Sequence, residues 1–124
     1  VSYRVLIVDD DDLNREVMEA FLLLNGYSVL MTGNGTRAIE LSKSELPDLI
    51  ILDMRLPDLS GLEVTEAIRN DVQISGIPIL MITGLSDPQV RKQALQMGVN
   101  QFLKRPFGGD DFIAEVASLL SAQS

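Results

Sequence analysis

The chain has no cysteine and no histidine among its 124 residues. These absences exclude disulfides, thiolate nucleophiles, zinc fingers and Ser-His-Asp triads. Any metal must be held mainly by oxygen, which favours Mg²⁺, Mn²⁺ or Ca²⁺. No apolar run approaches the roughly 20 residues that cross a bilayer. The longest candidates, Val5 to Val8 and Leu49 to Leu52, have the length of buried strands. No basic region followed by a hydrophobic stretch opens the chain, so no signal peptide is visible. The first residue is Val1 rather than Met, which leaves room for residues upstream. Basic residues are scarce, 10 against 18 acidic, for a net charge of -8. Direct nucleic-acid binding and membrane residence are therefore not expected. The lack of cysteine fits a cytoplasmic setting.

What is present is enough to fold. Hydrophobic residues make up 46% of the chain, and the length suits one domain spanning residues 1–124. Apolar runs alternate with helical periodicity. Tyr3 to Val8 reads as a strand, and Leu13, Val17, Phe21 and Leu24 follow on one face of a helix that Asn25-Gly26 ends. Tyr27 to Thr32 is a second strand, Gly33-Asn34-Gly35 a turn, and Thr36 to Glu45 a second helix. Pro47 precedes the strand Leu49 to Leu52. A loop from Pro57 to Gly61 leads to a helix over Leu62 to Asn70. Ile77 to Thr83 is a fourth strand, and Asp87-Pro88 opens a helix that Gly98 closes. Gln101 to Lys104 is a fifth strand, and the last helix carries Phe112, Val116, Leu119 and Leu120 on one face. Three strands are apolar throughout, as a parallel sheet covered on both faces requires. The expected architecture is a doubly wound α/β sandwich of five strand–helix units.

In such sheets function collects outside the carboxyl ends of the strands. Asp9 and Asp10 follow the first strand, Asp53 the third, Thr83 the fourth and Arg105 the fifth. Three carboxylates, a hydroxyl and a guanidinium are thus expected at one edge. Carboxylates packed this closely repel unless a cation joins them. Mg²⁺ typically takes one or two carboxylates and keeps several waters. That leaves a carboxylate available as a nucleophile toward phosphorus, with the hydroxyl and the fixed cation to neutralise phosphoryl oxygens. Taken singly, each residue also has an ordinary reading. Asp11 and Asp12 suit a helix start, Thr83 a strand end, Arg105 and Arg55 a solvated surface, Asp53 a loop cap, and Phe102 the core.

Four segments taken together resemble the receiver domains of bacterial two-component response regulators. They are Val5-Leu6-Ile7-Val8-Asp9-Asp10, the stretch from Ile51 through Asp53 to Leu62, Pro78 to Gly84, and Lys104-Arg105-Pro106-Phe107. The resemblance runs from Tyr3 to Leu120. It implies a (βα)5 fold with the flavodoxin-like strand order 2-1-3-4-5. It implies that Asp53 takes a phosphoryl group from a phosphohistidine on a histidine kinase or histidine phosphotransfer protein. Asp10 would bind Mg²⁺ directly, Asp9 mainly through water, and the Arg55 carbonyl would be a further ligand. Thr83 would move toward the phosphoryl oxygens and Phe102 would follow it. The fourth helix, fifth strand and fifth helix would form the output face, with a homodimer through it as one option. The Arg105-Pro106 peptide would be cis.

One position departs from the family, which usually has Lys where this chain has Arg105. Lys104 lies one residue earlier and should point to the opposite face, unless a bulge brings it inward. Arg keeps the charge but is longer and planar. The alternatives are therefore a phosphorylation-inactive receiver serving as an interaction module, and a small Mg²⁺-dependent phosphatase of the haloacid-dehalogenase type. For the latter, Asp9-Asp10-Asp11 loosely offers an Asp-x-Asp start, but Leu13 stands where a Thr or Val is needed. A flavin-binding module is disfavoured because four aspartates follow the first strand. A receiver catalyses only its own phosphorylation and dephosphorylation, and is not a turnover enzyme.

Overall fold

Runs of aliphatic residues with no polar interruption can form strands only where both faces are covered, and that requirement organises the molecule. The computed structural model describes residues 2–84 and 87–122. Its elements are β1 (Arg4–Val8), α1 (Asp12–Leu24), β2 (Ser28–Thr32), α2 (Gly35–Glu45), β3 (Leu49–Asp53), α3 (Gly61–Arg69), β4 (Ile79–Thr83), α4 (Pro88–Met97), β5 (Gln101–Lys104) and α5 (Gly109–Ser121). The five strands are parallel in the order β2-β1-β3-β4-β5, the expected doubly wound arrangement. β4 starts at Ile79 rather than Ile77. Pro78 has no N–H for the ladder, and its carbonyl accepts from Ile50 N at 3.0 Å.

Successive strand residues point to opposite faces, which divides the core into two layers. Leu6, Val8, Ile50, Leu52 and Met81 pack with Ala38, Val64, Ile68 and Ala94 on the side of α2, α3 and α4. Val5, Ile7, Leu49, Ile51, Leu80 and Ile82 pack with Met18, Leu22, Phe112, Val116 and Leu120 on the side of α1 and α5. β3 and β4 are buried along their whole length.

The α1 face read from the sequence is displaced from the face that is buried. Met18 and Leu22 enter the core, while Leu13 is 67% exposed, Val17 44% and Leu24 84%. The apolar stripe of this helix is wider than the strip the sheet covers. The sheet therefore selects Met18 and Leu22, one residue further around the helix, with Phe21 partly buried between the two sets.

Helix starts crowd the edge where the strands end. Asp11, Asn34, Ser60 and Asp87 each accept a backbone N–H from the first turn of α1, α2, α3 and α4, and Ser60 with Glu63 forms a reciprocal capping box. At the opposite edge Arg69 closes a knot. Its guanidinium donates to the carbonyls of Gly98 (3.0 and 2.8 Å), Ser75 (2.9 Å) and Ile77 (2.7 Å) and to Asn100 Oδ1 (2.9 Å). Gly98 ends α4 at φ +110, and a Cβ there would meet the Arg69 side chain.

Gly61 decides how closely α3 can approach the end of β3. Its N–H donates to Met54 O at 2.7 Å, and a Cβ would lie 2.6 Å from Asp53 O and 2.9 Å from Met54 Cα. Both obstacles are backbone, so the loop would have to shift. Gly61→Ala is expected to destabilise the fold by about 2 kcal/mol, measured by urea unfolding. An unchanged urea midpoint would contradict this packing.

Candidate functional site

Parallel registry brings the strand ends together. Val8 pairs with Leu52, Asp53 with Ile82, and Thr83 with Lys104. Asp9, Asp10 and Asp53 follow, and each offers a carboxylate oxygen so that all three oxygens lie within 4.8 Å of one another. Asp9 is 1% exposed and Asp53 8%, while Asp10 is exposed. Thr83, 7% exposed, lines the same cleft with Arg55, Gly84 and Arg105.

Each buried oxygen has an identifiable partner. Asp9 Oδ1 accepts the Asp11 N–H at 2.9 Å, and Asp53 Oδ1 accepts the Arg55 N–H at 3.1 Å. Arg105 Nη2 lies 2.6 Å from Asp9 Oδ2 and 3.3 Å from Asp53 Oδ2. The guanidinium thus bridges the two buried carboxylates. The Arg105-Pro106 peptide is cis. Lys104 does not line this cleft; it lines a neighbouring cavity of about 230 Å³ with Met54, Thr83, Pro88, Val90, Arg91 and Phe102. Phe102 is 9% exposed, and its ring lies under the Arg91 guanidinium, 5.2 Å from Cζ to the ring centroid.

The four consecutive aspartates separate by role. Asp11 caps α1 through the Asn14 N–H at 2.9 Å, and Asp12 pairs with Arg15. An Asp-x-Asp pair therefore does not converge on the cleft. Arg15 also donates to the Asp9 carbonyl at 2.6 Å and fixes the turn of the acidic loop.

A second anchor, which local sequence signals did not reveal, is Asp58. Its carboxylate accepts from Gly35 N (2.8 Å), Thr36 N (2.9 Å) and Thr36 Oγ1 (2.7 Å) at the start of α2. This ties the loop after Asp53 to a neighbouring helix. The Thr36 bonds hold the Asp58 carboxyl well below the usual carboxylate range. Asp9 moves the other way. Burial, more than the neighbouring Asp53 and Asp10, raises its pKa, and the Asp11 N–H and Arg105 only partly offset it.

The profile of the response regulator receiver domain matches residues 5–117. The polar-differentiation response regulator DivK of Brucella anthropi is 32% identical over 94% of this chain and 94% of its own length. Hybrid signal transduction histidine kinase D of Dictyostelium discoideum is 36% identical over 94% of this chain, which spans only 8% of that kinase. Against other curated relatives the chain spans about half their length. The solved receiver domain of the sensor histidine kinase PA1611 from Pseudomonas aeruginosa is 29% identical, with a TM-score of 0.89 over 98% of this chain and 99% of its own. That structure carries a magnesium ion coordinated in its active site cleft.

Two pH effects follow from the opposite shifts. A carboxyl with a raised folded pKa opposes folding near neutral pH, and the opposition fades as pH falls through the folded value. Asp9→Asn is expected to raise the melting temperature in metal-free buffer near neutral pH, with the gain shrinking on acidification; no gain at neutral pH would contradict the cost assigned to burial. Asp58 has the lowered case. Its stabilisation is complete above the ordinary carboxylate pKa of about 4 and is lost as pH falls through the folded value. Asp58→Asn is expected to melt below the wild type near neutral pH, and the two curves to converge in acid. A gap that persists unchanged in acid would count against the Asp58 anchor.

Proposed function

Since the chain belongs to the response regulator receiver domain family, we propose that Asp53 accepts a phosphoryl group from a phosphohistidine on a histidine kinase or histidine phosphotransfer protein. Receiver domains are signalling switches of two-component systems. The observation that carries the reading is the convergence of Asp9, Asp10 and Asp53 within 4.8 Å, with Arg105 bridging two of them.

The donor set fits a hard divalent cation. It consists of carboxylate oxygens, with Asp10 open to solvent so that the ion could keep waters. Asp9, Asp10, Asp53 and the Arg55 carbonyl would hold Mg²⁺. When bound, the ion supplies neutralisation of phosphoryl oxygens. An Asp53 carboxylate oxygen forms the new O–P bond as the N–P bond of the phosphohistidine breaks. The imidazole leaves with the bonding pair and takes up a proton. Thr83 Oγ1 donates to a phosphoryl oxygen, and Arg105 neutralises another by exchanging a carboxylate for the phosphoryl group.

The same charge event reaches the output face. Movement of Thr83 toward the phosphoryl group opens space beside the cavity that Phe102 lines, and the ring shifts to fill it. That face divides by charge. α4 and β5 carry Arg91, Lys92 and Lys104 and no acid, whereas α5 carries Asp110, Asp111 and Glu115 and no base. Opposite signs on neighbouring helices suit pairing of two copies through α4, β5 and α5.

The donor docks beside the cleft. Exposed Leu13 and Val17 line an apolar groove with Phe21 and Phe107, and Arg105 lines both the groove and the cleft. A phosphohistidine carried on an amphipathic helix lying in this groove would be within reach of Asp53.

Arg105 in place of the family's usual Lys favours one rival, a receiver-like interaction module that is not phosphorylated. Intact mass after incubation with acetyl phosphate and Mg²⁺ separates the two. The wild type is expected to gain one phosphoryl group and Asp53→Ala none. No gain in the wild type would make the interaction module the better reading.

A further inference from the structure

The acidic cleft already contains a cation, and it is part of the chain. Arg105 Nη2 sits 2.6 Å from Asp9 Oδ2, the shorter of its two carboxylate contacts. The other Asp9 oxygen is committed to the Asp11 N–H at 2.9 Å. An ion joining the three carboxylates would therefore meet the guanidinium at Asp9. Two cations would share one buried carboxylate there, and their repulsion is poorly screened by solvent. Arg15 presents no such conflict, because it donates to the Asp9 backbone carbonyl rather than to the carboxylate.

We propose that Arg105 is a tethered competitor for the divalent cation: it occupies the Asp9 carboxylate in the metal-free protein and must leave it for Mg²⁺ to bind. This rests on the reading of Asp9, Asp10 and Asp53 as the cation ligands. Arg105 has somewhere to go. It is 29% exposed at the side chain and lies where the cleft meets the apolar groove along α1. Its aliphatic stem can rest against that groove while the charged end turns to solvent. Metal loading and the shape of the groove are thereby linked through one side chain. Competition of this kind weakens Mg²⁺ binding by the free energy needed to separate Arg105 from Asp9.

The test is a calorimetric Mg²⁺ titration of the wild type, Arg105→Gln and Lys104→Gln. Lys104→Gln removes the same charge from the adjacent residue, which lines the neighbouring cavity and not the acidic cleft. Arg105→Gln is expected to bind Mg²⁺ about tenfold more tightly than the wild type, and Lys104→Gln to stay within about twofold. Melting temperatures should change order as well. Arg105→Gln should melt below the wild type in EDTA, where Asp9 and Asp53 lose their shared counter-ion, and above it in saturating Mg²⁺. In the wild type itself, the Arg105 guanidinium NMR signal, assigned by its loss in Arg105→Lys, should shift in step with Mg²⁺ occupancy. Equal affinities in the wild type and Arg105→Gln, or a guanidinium signal indifferent to bound Mg²⁺, would overturn the competition and leave the metal reading standing. Equal gains in Arg105→Gln and Lys104→Gln would reduce it to a general field effect and overturn direct displacement. No Mg²⁺ binding in any of the proteins would overturn the metal reading, and this inference with it.

Discussion

A parallel sheet buried on both faces cannot hold a charge along its strands, so the molecule's chemistry is confined to the strand ends. β3 and β4 have no exposed residue, and both core layers are built from their aliphatic side chains. In both strands the polar group comes last, Asp53 in β3 and Thr83 in β4. Because the strands are parallel, their ends share one edge, and the registry sets Asp9, Asp53, Thr83 and Arg105 beside one another. The helix starts at the same edge are closed by their own cap side chains, which accept first-turn N–H groups.

Such crowding has an electrostatic cost, and the surrounding residues distribute it. Asp9 bears the largest share, being nearly inaccessible and raised in pKa by burial. Its compensation comes from one backbone N–H and one guanidinium. Asp53 has the same two kinds of partner at longer distances, and Asp10 has solvent. Local backbone anchors then hold the loops that carry these groups. Arg15 fixes the loop after β1, Asp58 fixes the loop after β3, and the close approach at Gly61 brings the second loop back against Asp53. Arg105 links the two buried carboxylates across these loops.

The strand-end residues were legible because each depends on a local signal, an apolar run followed by a polar residue. The strand order came from resemblance rather than from any single run. The helix caps at Asp11 and Asp87 were legible for the same local reason, and the Ser60–Glu63 box could have been read from its spacing. What escaped were interactions between residues distant in sequence. Asp58 meets Thr36 across 22 positions, and Arg69 meets Gly98 across 29; neither leaves a mark in its own segment. The α1 stripe was misplaced for a related reason. Its period is helical, but the phase of the buried face is set by the sheet beneath it, which takes Met18 and Leu22 and leaves Leu13 and Val17 outside.

The Arg69 knot makes α4 a cantilever. Its C-terminal end is clamped at Gly98 by two guanidinium bonds and by a contact that leaves no room for a side chain. Its first turn is held differently, by its own Asp87 cap, and stands over the cavity that Thr83 and Phe102 line. A beam fixed at one end answers a push by swinging about that end. A sub-ångström adjustment near Thr83 would then be read out as an angle along the helix. The displacement would be greatest beside the cleft and would vanish at Gly98, so Arg69 would set the fulcrum from the far edge of the sheet.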